Sequence, residues 1–329
     1  MNSSGMSLLV LGSGSARPVV GRSPSAHILK LRGKPFLIDC GEGMQTQLMR
    51  YRVPVADLHR IFLTHLHGDH TLGLPGLMST LSLVGFNHPY HIYGPVGTED
   101  FVKRVVLYFC SEEAASQIIA HDIDPGDALG EPVEVYSDKS VRVTAFRLNH
   151  REVPCVGYRF DETPLKPHLD RAMADFYGIP VSFFNRLKNG EDYTAPDGTI
   201  IPFQKVTKPN RPPFSFAYCS DTSYSPRIIP FIKGVDLLYH EATYHSDQAL
   251  SAHSRGHSTA LEAATIAKKA GAKALLIGHF STRYKSQEDL QSLLLEAQTV
   301  FPRSIQATEG LTLDFETLTD PALYGQIHQ

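Results

Sequence analysis

Residues 63–77 read LTHLHGDHTLGLPGL, which places four metal-binding side chains, His65, His67, Asp69 and His70, within six positions. The preceding run RIFLTH (60–65) is apolar, so the cluster stands at the end of a buried strand. In an extended or loop backbone, residues two apart face the same side, so His65 and His67 can grip one ion. Asp69 and His70 can then turn toward a neighbouring position. Two close cations repel, so an anionic bridge is required between them, which a carboxylate from elsewhere and a hydroxide can supply. Histidine and carboxylate donors without cysteine suit Zn²⁺, with Mn²⁺ or Fe²⁺ as alternatives. A lone histidine at a strand end is usually a satisfied core residue. HxHxDH after an apolar strand is a much stronger metal signal.

The same theme recurs along the chain. VRVTAFRLNH (141–150), PFSFAYCSDTS (213–223), DLLYHEAT (236–243) and ALLIGHFS (274–281) are apolar strands that deliver His150, Asp221, His240 and His279 at their C-terminal ends. A rigid strand end can hold a ligand within a fraction of an ångström. Toward the N-terminus, SLLVLGSGS, AHILKL and PFLIDCGEG read as strands that end in turns. GMQTQLMRY, PGLMSTLSLVG and ALEAATIAKKA have helical spacing. Strand runs followed by helices, twice over, predict an α/β sandwich with helices outside two sheets. GLPGL (73–77) reads as a turn that opens a helix. GSGS (12–15) lacks the GK[ST] of a phosphate loop, which excludes a nucleoside-triphosphate site of that kind.

The 329 residues are 42% hydrophobic and 20% charged, an ordinary globular balance for one large or two small domains. No apolar run is long enough to span a bilayer, and no secretory signal is visible, so no membrane association is expected. The four cysteines lie far apart with no CxxC pair, which favours a reducing cytoplasm. The net charge of −3 argues against global attraction to nucleic acid and leaves room for a local basic patch. One stretch fits that description. Residues 165–211 are rich in proline, glycine and turn pairs, and carry seven Lys/Arg against five Asp/Glu. This is read as an insertion at 165–210 on a core made of 1–164 and 211–329. Its Phe176, Tyr177, Phe183, Phe184 and Tyr193 are expected to pack the insertion's own small core more than to stack on bases.

Taken in order, LGSGSARP (11–18), FLIDCGEGMQTQLMR (36–50), THLHGDHTLGLPGL (64–77), YGPVG (93–97), AFRLNH (145–150), SDT (220–222), HEAT (240–243), GHST (256–259) and GHFSTRY (278–284) resemble the metallo-β-lactamase superfamily. Within it they resemble ribonuclease Z, the tRNA 3′-processing endonuclease. HxHxDH marks only the superfamily; DCGEGMQTQL, GLPGL, HEAT and GHST are more specific. The resemblance implies an αββα sandwich with an inserted flexible arm, two zinc ions per subunit and a homodimer. It implies one metal on His65, His67 and His150, the other on Asp69, His70 and His279, and Asp221 bridging them. It further implies that a bridging hydroxide attacks the scissile phosphodiester of precursor tRNA, removing the 3′ trailer and leaving a 3′-hydroxyl. Asp69 would also orient that hydroxide. His257 would protonate the departing oxygen and Glu241 would aim His257. His257 could instead be a helix-start residue ahead of an N-cap at Ser258, and Glu241 a plain core-edge carboxylate. Asp39 at a strand end is a candidate to orient a ligand histidine. RLKNG (186–190) resembles the arm, which departs from the usual Gly-Pro-rich run at GIPVSFF (178–184). Arg186 and Lys188 on the arm, and Arg283 beyond His279, are candidate RNA contacts.

Two other readings compete. The first is another hydrolase of the superfamily, such as a small-molecule or cyclic-nucleotide phosphodiesterase, which needs no RNA clamp. The second is a non-catalytic RNA-binding protein on this fold. Seven filled ligand positions speak against it.

Overall fold

Alternation along the first strand, Met6–Gly12, sorts its side chains into two cores. Leu8 and Val10 enter the larger apolar cluster, and Leu11 enters a second one on the opposite face. The neighbouring strands repeat this division. Leu29, Phe36, Ile38 and Phe62 join the first cluster, while Ile28, Leu37, Ile61 and Leu63 join the second. A sheet buried on both faces is the result, and it accounts for the near-continuous apolar runs in the sequence.

The structure, a computed structural model, describes residues 5–85, 88–126 and 131–320. It contains two seven-stranded sheets. The first runs Thr312–Asp314, Met6–Gly12, Ala26–Leu31, Lys34–Ile38, Arg60–Phe62, Tyr90–Pro95, Ile118–Ile123, and its last four strands are parallel. The second runs Ser304–Gln306, Ala274–Gly278, Leu237–Glu241, Ser215–Cys219, Val156–Glu162, Val141–Arg147, Val133–Ser137, with its first four strands parallel. Aromatic rings lock the facing surfaces together. Phe62 meets Tyr158 and Phe160 edge-on at 5.2 and 5.3 Å, and His27 meets Tyr239 at 4.7 Å.

Helices cover the outer faces. Met44, Leu48, Leu74, Leu77, Met78 and Leu81 of helices Met44–Arg50 and Gly73–Val84 pack on the first sheet. Helix Ala260–Ala270 buries Ala260, Ala263, Ala264 and Ala267, a stripe at the 3.6-residue period. Thr259 and Glu262 close its N-terminus as a capping box, and Gly271 ends it. The arrangement is the αββα sandwich expected from the sequence. Among the described residues, no helix is long and apolar enough to cross a membrane.

The chain divides into two compact units. Residues up to Asp161 and from Phe214 onward form one; Glu162–Pro213 form the other. The second unit has its own core of Ile179, Leu187, Ile201 and Val206, against which Tyr177, Phe183, Phe184 and Tyr193 pack. Phe203 packs there too, so five of the six Phe and Tyr side chains of this segment serve packing, while Phe176 is exposed.

The segment that carries the first histidines is fastened to the first sheet by backbone bonds as well as by the Asp39 carboxylate, which accepts from the Thr64 amide at 2.8 Å. The Cys40 amide donates to the His70 carbonyl at 2.8 Å, and the Gly73 amide to the Cys40 carbonyl at 2.7 Å. The chains are so close that a Cβ on Gly73 would lie 2.4 Å from the Gly41 oxygen. Gly73→Ala is therefore expected to lower unfolding free energy by about 1–3 kcal/mol in urea titrations. Gly76→Ala, whose Cβ would meet only Gln45 Oε1 at 3.8 Å, should be neutral or mildly stabilising.

Candidate metal centre

The strands Arg60–Phe62, Val141–Arg147, Ser215–Cys219 and Ala274–Gly278 point their C-terminal ends to one edge of the sandwich. His65, His150, Asp221 and His279 lie one to three residues beyond those ends, in the loops rather than on the strands, while His67 caps the short helix Gly68–Thr71 that carries Asp69 and His70. Short loops let side chains from both sheets converge, which extended strands held apart by a packed core cannot do. His240 differs: it lies inside Leu237–Glu241 and is fully buried, and Glu241, the strand's last residue, faces the site.

Ligand atoms of His65, His67, His150 and Asp221 lie within 4.8 Å of one another, and so do those of Asp69, His70 and His279. The two groups meet at Asp221. Its Oδ2 lies 3.6 Å from His65 Nε2 and 3.8 Å from His150 Nε2. Its Oδ1 lies 3.4 Å from His70 Nε2 and 3.1 Å from His279 Nε2. Asp69 Oδ2 faces His70 Nε2 at 3.6 Å and His279 Nε2 at 3.4 Å. One carboxylate thus presents a separate oxygen to each imidazole group.

The outer ring nitrogens explain why the inner ones are free to ligate. His70 Nδ1–H donates to Asp39 Oδ2 at 2.9 Å, and His150 Nδ1–H to the Gly256 carbonyl at 2.8 Å. The Thr243 hydroxyl donates to Glu241 Oε2, so its oxygen accepts from His279 Nδ1–H at 2.9 Å. Thr64 is arranged likewise: its hydroxyl donates to Asp39 and sits 3.2 Å from His65 Nδ1. Each of these four imidazoles turns Nε2 inward. His67 is the exception, directing Nδ1 inward, 3.0 Å from His65 Nε2. Asp69 is anchored by the Ala16 amide at 2.6 Å.

The electrostatics ask for a cation. Burial pushes the Asp69 and Asp221 carboxyls up, yet the surrounding histidines hold both well below the ordinary carboxylate range. Burial opposes charge on His70, yet Asp39, Asp69 and Asp221 push it well above the usual imidazole value. Burial, reinforced by His70, lowers His65 and keeps it a neutral donor. Anionic carboxylates converging with inward lone pairs, and no cysteine, fit a divalent metal.

Beside the metal cluster, His257 Nδ1–H donates to Glu241 Oε1 at 2.9 Å. Glu241 is fully buried and also accepts from the Thr222 and Thr243 amides at 2.9 and 3.1 Å. Burial disfavours charge on His257, but Glu241 outweighs it and raises the imidazole to about 9. His257 therefore carries its proton at neutral pH. The adjacent helix is capped by Thr259, not by Ser258 as the sequence suggested. Ser258 Oγ is committed to the Thr222 carbonyl at 2.7 Å and fastens the Asp221 loop instead.

None of the three candidate RNA contacts belongs to the ligand groups. Arg283 donates to Gln248 Oε1 at 2.6 Å and stacks on Tyr244, whose ring is 6.1 Å from that of His257. Arg186 and Lys188 belong to the second unit, where Arg186 pairs with Glu191 at 2.7 Å and stacks on Phe183. Sequence reading missed the anchors Thr64, Thr243, Gly256 and Ala16. The threonines stand inside recognised motifs; Gly256 and Ala16 act through backbone atoms, which any residue offers.

Fold and donor set together define a metallo-β-lactamase-fold protein with a histidine–carboxylate centre for divalent metal. Comparison with known proteins is specific. Ribonuclease Z of Porphyromonas gingivalis is 46% identical over 94% of this chain and 98% of its own. Ribonuclease Z of Bacteroides thetaiotaomicron is 43% identical over 96% and 98%. The chain belongs to the ribonuclease Z family. The short form of human tRNase Z superposes with a TM-score of 0.67 at 29% identity, covering 93% of this chain and 98% of that one. A metallo-β-lactamase-fold protein from Bacillus subtilis shares the fold at a TM-score of 0.65 and 23% identity, over 94% and 99%. A family profile described as anti-Pycsar protein Apyc1 matches residues 6–123.

Because Asp39 is what orients His70, Asp39→Ala is expected to weaken metal binding about 10- to 100-fold. A competitive chelator titration would measure this, with circular dichroism checking the fold.

Proposed function

We propose that the protein is a metal-dependent endoribonuclease that removes the 3′ trailer from precursor tRNA and leaves a 3′-hydroxyl on the tRNA. The observation that carries this reading is relatedness to ribonuclease Z along nearly the whole chain, with every implied ligand position filled and convergent. The donor set supports two divalent ions, zinc first, with manganese or iron as alternatives. His65, His67 and His150 would hold one, Asp69, His70 and His279 the other, and Asp221 would touch both. When bound, such a pair supplies Lewis acidity and lowers the pKa of a water toward neutrality.

The chain's own groups do the rest. Asp69, fixed by the Ala16 amide, orients the attacking water. His257 donates a proton to the departing ribose 3′-oxygen. Its Nδ1 is engaged by Glu241, so the proton leaves from Nε2. Glu241 keeps that imidazole charged and aimed. The unit Glu162–Pro213 is the arm that holds the tRNA body, with Arg186 and Lys188 on phosphates, while Arg283 serves nearer the cut. We assign the active form to a homodimer, as the family resemblance implies, and to the cytoplasm, as the widely spaced cysteines suggest.

The deciding assay is cleavage of a 3′-extended precursor tRNA, with and without a strong chelator, beside bis(p-nitrophenyl) phosphate. Chelator-sensitive cutting after the discriminator nucleotide supports the proposal. Turnover of the small ester alone would move the function to a small-phosphodiester hydrolase. Asp221→Ala should lose metal and activity together. His257→Ala should slow cleavage about 10²–10⁴-fold with metal retained; wild-type rates under single-turnover conditions would remove His257 from the acid role.

A further inference from the structure

A second feature adjoins the metal cluster and none of the assigned roles uses it. A cleft of about 530 Å³ opens beside the His150 loop and is lined by Arg147, Asn149, Arg151, Tyr224 and Arg227 among others, with no carboxylate among the described residues of its wall. Lys269 adds a fourth cation at its margin, donating to the Tyr224 hydroxyl at 3.0 Å. Arg151 and Arg227 have no hydrogen-bond or ion-pair partner among the described residues, and Arg147 donates only to the Gly126 carbonyl at 3.1 Å. In a chain of net charge −3, composition does not produce such a cluster by itself. Guanidinium groups gathered without a counterion repel one another, and an anion from outside relieves that cost.

The cleft is tied to the metal centre by short backbone links. Asn149 and Arg151 flank the ligand His150 in sequence. The Ser223 amide donates to the Asn149 carbonyl at 2.8 Å, and the Asn149 amide to Thr222 Oγ1 at 3.1 Å, so the loops of His150 and Asp221 share one wall. Arg151 turns in the left-handed region at φ 55°, and its side chain lies over Gly256, where a Cβ would come within 2.9 Å of Arg151 Cγ. That glycine precedes His257. The arginines therefore adjoin the loops that carry His150 and His257.

We infer that the Arg147–Arg151–Arg227 cleft is a second phosphate site, which holds the backbone of single-stranded RNA flanking the scissile bond. The inference rests on the RNA substrate proposed above. The shared chemistry is a phosphodiester; its source is either the 3′ trailer or the unpaired acceptor end. Guanidinium groups bind such phosphates through two parallel N–H donors, which lysine cannot reproduce.

The test compares wild type with Arg227→Gln and with Arg151→Gln/Arg227→Gln. Substrates are precursor tRNAs with trailers of about one and about ten nucleotides, and bis(p-nitrophenyl) phosphate, which has no flanking nucleotide. The double variant should raise KM on RNA about tenfold, and its loss of kcat/KM on RNA should exceed its loss on the ester by a similar factor. The salt dependence of log KM should shallow by about 0.7 per phosphate contact removed. A defect confined to the long trailer assigns the site to the trailer, and an equal defect on both assigns it to the acceptor end. Unchanged KM and salt slope in both variants overturn the inference while leaving the endonuclease in place. Equal losses on RNA and ester also overturn it, because the effect would then pass through His150. If the wild-type enzyme cuts no precursor tRNA, the substrate reading itself fails.

Discussion

The buried carboxylate of Asp221 is the constraint around which the rest is arranged. It is nearly inaccessible to water, yet it stays ionised because five imidazoles surround it, His65, His150 and His257 facing Oδ2 and His70 and His279 facing Oδ1. A carboxylate so placed is costly without positive charge nearby. The protein meets that cost with histidines whose outer nitrogens are tied down, so that their inner lone pairs share a centre suited to a cation. Asp39, Thr64, Thr243 and the Gly256 carbonyl fix those orientations. The second sheet contributes Glu241, which holds His257 charged at the same edge.

Precision of this kind depends on the fold beneath it. Ligands come from loops of both sheets, so any slip between the sheets would part the two imidazole groups. The aromatic contacts of Phe62, Tyr158 and Phe160 resist such a slip. So does the junction of the first loop with the last ligand strand, where the Phe280 amide donates to the Ser13 carbonyl at 2.9 Å. That junction gives the GSGS turn its place: its backbone meets the segment of His279, and the neighbouring Ala16 amide anchors Asp69. The close approach of Gly41 and Gly73 does the same for the His70 turn.

Charge is distributed unevenly around this centre. The chain as a whole is acidic, but some of its arginines stand in contrasting settings. In the second unit, Arg186 and Arg211 are paired with Glu191 and Glu162. Beside the His150 loop, the arginine cluster faces a cleft with no carboxylate among the described residues that line it. An enzyme acting on a polyanion gains from such local contrast, because phosphate contacts position the strand without reading its sequence.

Much of the site was legible in the sequence because ligand chemistry resides in residue types. HxHxDH, the strand-end His150, Asp221 and His279, and the apolar alternation that buries both sheet faces all appear as local patterns. The fold class follows from the same periodicities. Other features were decided only by tertiary structure. The helix cap fell to Thr259 because Ser258 was drawn inward to the Thr222 carbonyl. The Gly256 carbonyl and Ala16 amide became anchors through backbone atoms that carry no residue signature. The arginine cleft joins residues 147–151 to residues 224–227, more than seventy positions apart in sequence. A sequence names its donors and its periods; which distant loops meet, and which carbonyl or amide ends up facing which ring, is settled only when the two sheets close over their shared core.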